Sequence, residues 1–373
     1  MELHHQAPNC LIILFVEDSL VSRLVKENDL SKATDYLEQF VDSIENYNTE
    51  QIIYLPIDNI EMPNFDKFKI GNISIVKMTD KRIKDISGRI KRVIEQTTHP
   101  PEHKPLILEN LLTYHVKPLK GKICVEYRLV AEPEIAEERA REEALSAIDL
   151  LRYAIPSLYR YQYPAYLYPA PLRQQEKDKR KEKKNEYRTR TRIGIGLQGE
   201  VPVGMRSTYI FPSDKSSFEM DHKFVGMRPL TITKDSIDTM KKIGVFKLAK
   251  SLQKPKEKLT SFEDVLLRSI HWFANAQVQF EIENELLNLV TSLETILTDK
   301  SNPLIEAVSY GIAFVLGSSV EQREELIARY REIYDERSNT SHHGIRSADE
   351  IDLIELRYIA QEILRISIKN LSK

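Results

Sequence analysis

Two residues within YREIYDERSNTSHHG, at 330–344, have the side chains that metal-free cleavage of a phosphodiester requires. Arg337 keeps its charge at any physiological pH and His342 titrates near neutrality, so one can hold a phosphate while the other moves a proton. Cutting RNA without a metal needs a base for the 2′-hydroxyl, an acid for the leaving 5′-oxygen and positive charge on the phosphate. The spacing carries little weight alone, because about one Arg-x4–6-His match is expected by chance in a chain of this size. On a regular helix, five residues advance to a point about 140° away around the axis, so positions 337 and 342 do not share a face. Ser338 and Asn339 do share the face of His342 and could orient the imidazole or contact phosphate. Either the last turn before Gly344 is distorted, or a two-fold axis brings one copy's arginine toward the other copy's histidine.

The elements that must position this pair read as helices with legible starts. Ser261 with Asp264, Ser319 with Gln322 and Ser347 with Glu350 have the spacing of capping pairs, and Pro303 follows Asn302 at another start. No β-rich run interrupts 262–371, which predicts four or five packed helices. Glu294, in SLETIL, is expected to be a packed or solvated helix residue that could hold an arginine in place. His271 and Trp272 fall in an apolar helical pattern and are expected in the core.

Upstream, the patterns mix. Apolar runs at 11–16 and 52–55 and the half-alternating KICVEYRLV at 122–130 predict strands, and 30–47 and 79–98 have helical spacing. A helix is predicted from Glu134 to Leu158, with Ala140, Ala144, Ala147, Ile148, Leu151 and Ile155 on one side and Pro156 ending it. Tyrosines and prolines then alternate to Pro171, and a basic run follows, so that 169–192 reads as a linker or loop. Within that run Lys179, Arg180, Lys181, Lys183 and Lys184 are candidate RNA contacts, expected to add affinity rather than turnover because they have no acid or base beside them. Short β-like pieces (TYIF, PLTIT) and a helix at 235–252 lead to a boundary near Pro255.

The expected fold class is therefore multidomain α+β: a mixed α/β region over 1–255, which senses a signal or positions RNA, and an all-α bundle over 256–373. A net charge of −2 excludes a protein that coats nucleic acid by bulk charge, yet leaves room for a local basic patch. Two cysteines, Cys10 and Cys124, give neither a disulfide framework nor a zinc site, and a reduced cytoplasm fits them. LIILFV after Cys10 is too short for a membrane span. The glycines of GIGLQGE and the absence of a Gly-Lys-Ser/Thr signature give no sign of nucleotide hydrolysis. No cofactor and no metal are expected, since His342 and His343 are adjacent and lack accompanying carboxylates or cysteines.

Four blocks, in order, resemble the HEPN superfamily of ribonucleases and within it the Apea-like branch: LLRSIHWFANA (266–276), FEIENELLNLVTSLETIL (280–297), IEAVSYGIAFVLG (305–317) and IYDERSNTSHHG (333–344). The likeness covers about 262–372. It implies a metal-independent endoribonuclease acting at a homodimer interface, with Arg337 and His342 of each copy facing a shared groove. Related members serve as toxins or virus-defence effectors, which implies RNA as substrate and a regulatory protein or an invader-derived trigger as partner, with no membrane. Thr340-Ser341 is more polar than the pair the branch carries there, and His343 is a second candidate for the histidine position. Gly344 stands where some toxins of this kind have a tyrosine that a partner enzyme modifies, which disfavours that form of control. The rival expectation is a non-catalytic helical module that holds RNA or a protein.

Overall fold

The computed structural model describes residues 49–96, 100–131, 133–158, 192–193, 195–198, 205–210, 217–222, 227–279, 281–298, 304–343 and 350–371; for 49–50, 96, 133–134, 192–193, 205–210, 217–222, 227–228, 336–343 and 350–351 only the course of the backbone is described. The expected strand at 11–16, the helix at 30–47, most of the 169–192 segment, and the starts at Pro303 and Ser347 lie outside these residues.

Strands β1 (Thr49–Asp58), β2 (Ile60–Glu61), β3 (Lys67–Ile70) and β4 (Ile73–Lys77) come first, then helices α1 (Asp80–Gln96) and α2 (Lys104–Leu111), strand β5 (Ile123–Ala131) and the long helix α3 (Pro133–Leu158). Short strands follow: β6 (Arg192–Ile193), β7 (Gly196–Leu197), β8 (Met205–Ile210), β9 (Ser217–His222), β10 (Met227–Arg228) and β11 (Leu230–Thr231). The remaining described elements are helices: α4 (Lys234–Lys242), α5 (Val245–Ser251), α6 (Ser261–Gln277), α7 (Ile282–Leu297), α8 (Leu304–Leu316), α9 (Val320–His343) and α10 (Glu350–Asn370). The chain is thus mixed α and β, with a sheet in its first half and helices in its last third.

The main sheet runs β3-β4-β5-β1-β7. Its antiparallel registers place Ile75 between Phe68 and Val125, and Ile57 opposite Leu197. Strand β5 is covered on both faces over Ile123–Glu126 and alternates only beyond, where Arg128 and Val130 are exposed. On the far face from Val125, burial pushes the Cys124 thiol up to about 12, which makes it an inert core group.

Contacts group Tyr54–Tyr127 with Arg141–Lys373 as one compact unit and assign Arg128–Ala140 to the other. This division does not fall at residue 255. The main hydrophobic core in the larger unit runs from Ile57 and Val125 through Ile148, Leu151 and Tyr153 to Phe273, Leu289, Tyr330 and Ile363, and a smaller cluster of Val76, Met78 and Cys124 lies apart from it. The Tyr153 ring meets Phe273 edge-on at 6.0 Å, and its hydroxyl donates to the Ile243 carbonyl at 3.3 Å.

Three local readings differ from the sequence-based expectation, each for a physical reason. The helix expected at 235–252 is two helices, because Gly244 takes φ +88° between them and a Cβ there would collide with Cγ2 of Ile368. The α6 start is one residue early: Thr260, not Ser261, is the cap, with Glu263 as its reciprocal partner. Glu263 also accepts from Lys254 at 2.6 Å and Ser251 at 2.7 Å, and Lys254, the Thr260 backbone and Ser251 hold its carboxyl down to about 2. Pro156 lies within the last turn of α3 and the helix closes two residues later, at Leu158. The Ser319 start holds: Gln322 N–H donates to the Ser319 hydroxyl at 3.2 Å.

The last five helices pack on one another through small and charged contacts as well as apolar ones. Ser269 of α6 and Ser292 of α7 each donate to the other's carbonyl, at 2.6 and 2.8 Å, which lets the two backbones approach closely. Arg357 of α10 pairs with the buried Glu285 of α7. Gln361 donates to Ser157 at 2.7 Å, and Lys247 donates to the Ile368 and Lys369 carbonyls at 2.7 and 3.0 Å, supplying a cation where the α10 dipole ends.

Candidate functional site

The Arg337 and His342 positions ride on the last two turns of α9, and what fixes that helix is a guanidinium at the start of its buried stretch. Arg329, 8% exposed, donates from Nε to Glu355 at 3.0 Å, from Nη1 to Glu332 at 2.8 Å and from Nη2 to Asp352. Asp352 and Glu355 belong to the first turns of α10, where the helix dipole favours carboxylates. Burial works against the charge on Arg329, yet Glu355 and Asp352 outweigh it and hold the guanidinium above its ordinary range. Tyr330 and Ile333 beside it are fully buried, so α9 is held by both charge and packing.

From Arg329 to Arg337 is eight residues of helix, about 12 Å along the axis. The helix continues without a break to His343. Ser338, Asn339 and His342 therefore occupy neighbouring helical positions, and position 337 lies about 140° from 342 around the axis. Side chains from 336 to 343 lie outside the described residues, His343 included. Glu294 is on α7, partly buried, next to the buried Leu293; its carbonyl accepts from the Thr298 hydroxyl at 2.6 Å. Lys179, Arg180, Lys181, Lys183 and Lys184 lie outside the described residues.

A second group of chemically capable residues escaped the sequence reading. His271 and Trp272 are exposed, not core: Leu266, Ile270, Phe273 and Ala274 take the buried stripe of α6, and 271–272 fall to its other side. The imidazole Nδ1 lies 2.7 Å from Oδ2 of Asp149 on α3, a residue 122 positions away that no local pattern connects to it. Arg152, 6% exposed, reaches the other carboxylate oxygen of Asp149 at 3.4 Å and donates to the Ile195 carbonyl at 2.9 Å. On the outer side, Nε2 meets the Asn275 amide at 3.0 Å, and the Trp272 ring stands edge-on at 5.8 Å. This arrangement can take up and return a proton at Nε2 while Asp149 keeps the ring in place.

Hydrogen bonding to Asp149 raises the His271 pKa, against partial desolvation and the nearby Arg152. A raised folded-state value stabilises the fold fully below the unfolded imidazole value of about 6.5, and the contribution is lost as pH rises through the folded value. A proton NMR titration is expected to show the His271 ring titrating above the ordinary imidazole value, and Asp149→Asn to move it downward. An unmoved midpoint in that variant would separate the carboxylate from the shift.

Comparisons with protein-family models, with curated proteins and with solved structures give no match to this chain.

Proposed function

We propose that the chain is a cytoplasmic, homodimeric endoribonuclease that cuts RNA without a metal, with Arg337 and His342 as its reacting pair. The observation that carries this reading is the unbroken course of α9 to His343, clamped at Arg329. A regular helix turns positions 337 and 342 about 140° apart, so one copy does not face a single phosphate with both; two copies related by a two-fold axis do. In the proposed step, one imidazole takes the proton of the 2′-hydroxyl and the 2′-oxygen bonds to phosphorus. The bond from phosphorus to the 5′-oxygen breaks, and the other imidazole returns a proton to that oxygen. Arginine balances the charge that grows on the phosphate. The products carry a 2′,3′-cyclic phosphate and a 5′-hydroxyl. Ser338, Asn339 and Glu294 are proposed as positioning residues, and the 179–184 run as an RNA contact.

The rival reading, a non-catalytic helical module that holds RNA or a protein, draws on α8. Tyr310 and Phe314 are 56% and 77% exposed there, and Arg331 and Arg323 lie over their rings at 5.8 and 6.0 Å. No described helix is long and apolar enough to cross a membrane.

End-group analysis of RNA incubated with the full chain in excess chelator tests the proposal. Cyclic phosphate and 5′-hydroxyl ends are expected. Cleavage that stops with chelator and returns with magnesium would remove the metal-free mechanism, and intact RNA bound by the protein would favour the non-catalytic module.

A further inference from the structure

At the open edge of the main sheet, β3 and helices α4 and α5 border a cavity of about 490 Å³ that is broadly open to solvent. Its apolar lining is Phe65, Phe68, Phe246 and Ile237, and its polar lining is Lys67, Lys69, Lys234, Lys241 and Asp238. The α4 residues recur at helical spacing, 234, 237, 238 and 241, so one face of that helix supplies them. Phe65 and Phe68 stand edge to face at 5.8 Å.

The charges are unbalanced. Four lysines face one aspartate in the lining, and with Glu126 set against Lys67 an excess of two positive charges remains. Lys241 pairs with Asp238 at 3.0 Å, and Lys67 pairs with Glu126 at 3.1 Å. Neither Lys69 nor Lys234 forms an ion pair with a described residue. Lysines on an edge strand also discourage strand addition, which accounts for Lys67 and Lys69. It does not account for Lys234 and Lys241 on a helix, nor for the phenylalanines that line the same cavity.

We infer that this cavity is a binding site for a nucleoside phosphate, with the base against the phenylalanines and the phosphates among Lys69, Lys234 and Lys241. The volume falls in the range of small-molecule sites, about 300–1,000 Å³. Two lysines without matching carboxylates, Lys69 and Lys234, beside the Lys241–Asp238 pair suit a ligand with more than one negative charge. Inorganic polyphosphate leaves the phenylalanines wet, and an aromatic monoacid uses one lysine and leaves the rest repelling one another. A nucleotide satisfies both halves. The same chemistry belongs to a free nucleotide and to the 5′-phosphorylated end of an RNA strand. The inference does not rest on the ribonuclease reading, since the cavity is separate in sequence from 337–342.

Isothermal titration calorimetry of the full chain, with ATP, adenosine, tripolyphosphate and a 5′-phosphorylated RNA trinucleotide as probes, tests it. ATP is expected to bind at least about tenfold more tightly than adenosine or tripolyphosphate. Lys69→Glu with Lys234→Glu, both at exposed positions, should weaken ATP by about tenfold or more at an unchanged melting temperature. A trinucleotide tighter than ATP assigns the cavity to a strand end, and the reverse order to a free nucleotide. Absence of binding by both ATP and the trinucleotide overturns the inference, as does tripolyphosphate matching ATP, or a folded double variant with full affinity. RNA that binds here yet stays uncut would count against the proposed ribonuclease activity while leaving this site standing.

Discussion

Arg337→Ala and His342→Ala are each expected to lower RNA cleavage about a hundredfold or more, with the fold intact. If arginine balances charge on the phosphate and histidine moves the protons, neither does its part without the other. The double variant should therefore be hardly slower than either single one, because groups that act as a unit lose their effect together. His343→Ala should matter less, since the Arg-x4-His register ends at His342. The check is a single-turnover cleavage assay in chelator, with circular dichroism to establish that each variant is folded. Persistent cleavage by a folded variant lacking both His342 and His343 would move the chemistry elsewhere in the chain. Dilution adds a second reading: a shared site loses specific activity as dimers dissociate, whereas a strictly monomeric protein that keeps its rate would exclude one.

The largest expected change in stability is at Arg329. Its removal takes the guanidinium from Asp352, 3% exposed, and its Nε donor from Glu355, and the loss of one partner from a buried ion pair costs about 3–5 kcal/mol. Arg329→Ala should lower the urea midpoint accordingly. Replacing the group together, with Arg329→Met, Asp352→Leu and Glu355→Leu, should recover most of that loss, because apolar residues of similar size avoid the desolvation that the ions suffer. A loss below about 1 kcal/mol in the single variant would mean that apolar packing of Tyr330 and Ile333, not the charge cluster, holds α9 to α10.

Where an element is long and periodic, the sequence is a good guide to it: the helices over 79–98 and 134–158 and the strand over 122–130 lie within two residues of where their patterns place them. Ambiguity arises where neighbouring residues offer the same chemistry. TSFED contains two overlapping capping pairs, Thr260 with Glu263 and Ser261 with Asp264, and the choice falls to the first because Ser251 and Lys254 also bind Glu263. Those two residues are twelve and nine positions upstream of Glu263, at the end of another helix and just past it, beyond any cap motif. The His271–Asp149 pair is illegible for the same reason at greater range, since it joins elements 122 residues apart. An apolar helical pattern also treats His271 and Trp272 as core because four of their near neighbours are; one step around the helix puts them in water. For the proposed reacting pair, the sequence supplies residue types and helical positions, and nothing beyond those positions is described for their side chains.

The collision that a Cβ at Gly244 would meet is with Ile368, and Tyr153 covers Phe273. Both contacts join residues on opposite sides of position 255, and so does Lys247 against the end of α10. A fragment cut at 256 would therefore carry uncovered apolar surface from Phe273 and Ile368 into water, together with a frayed C-terminal helix. Such a fragment is poorly suited to autonomous expression, and in the full chain the residues on either side of the cut should melt as one cooperative event rather than two.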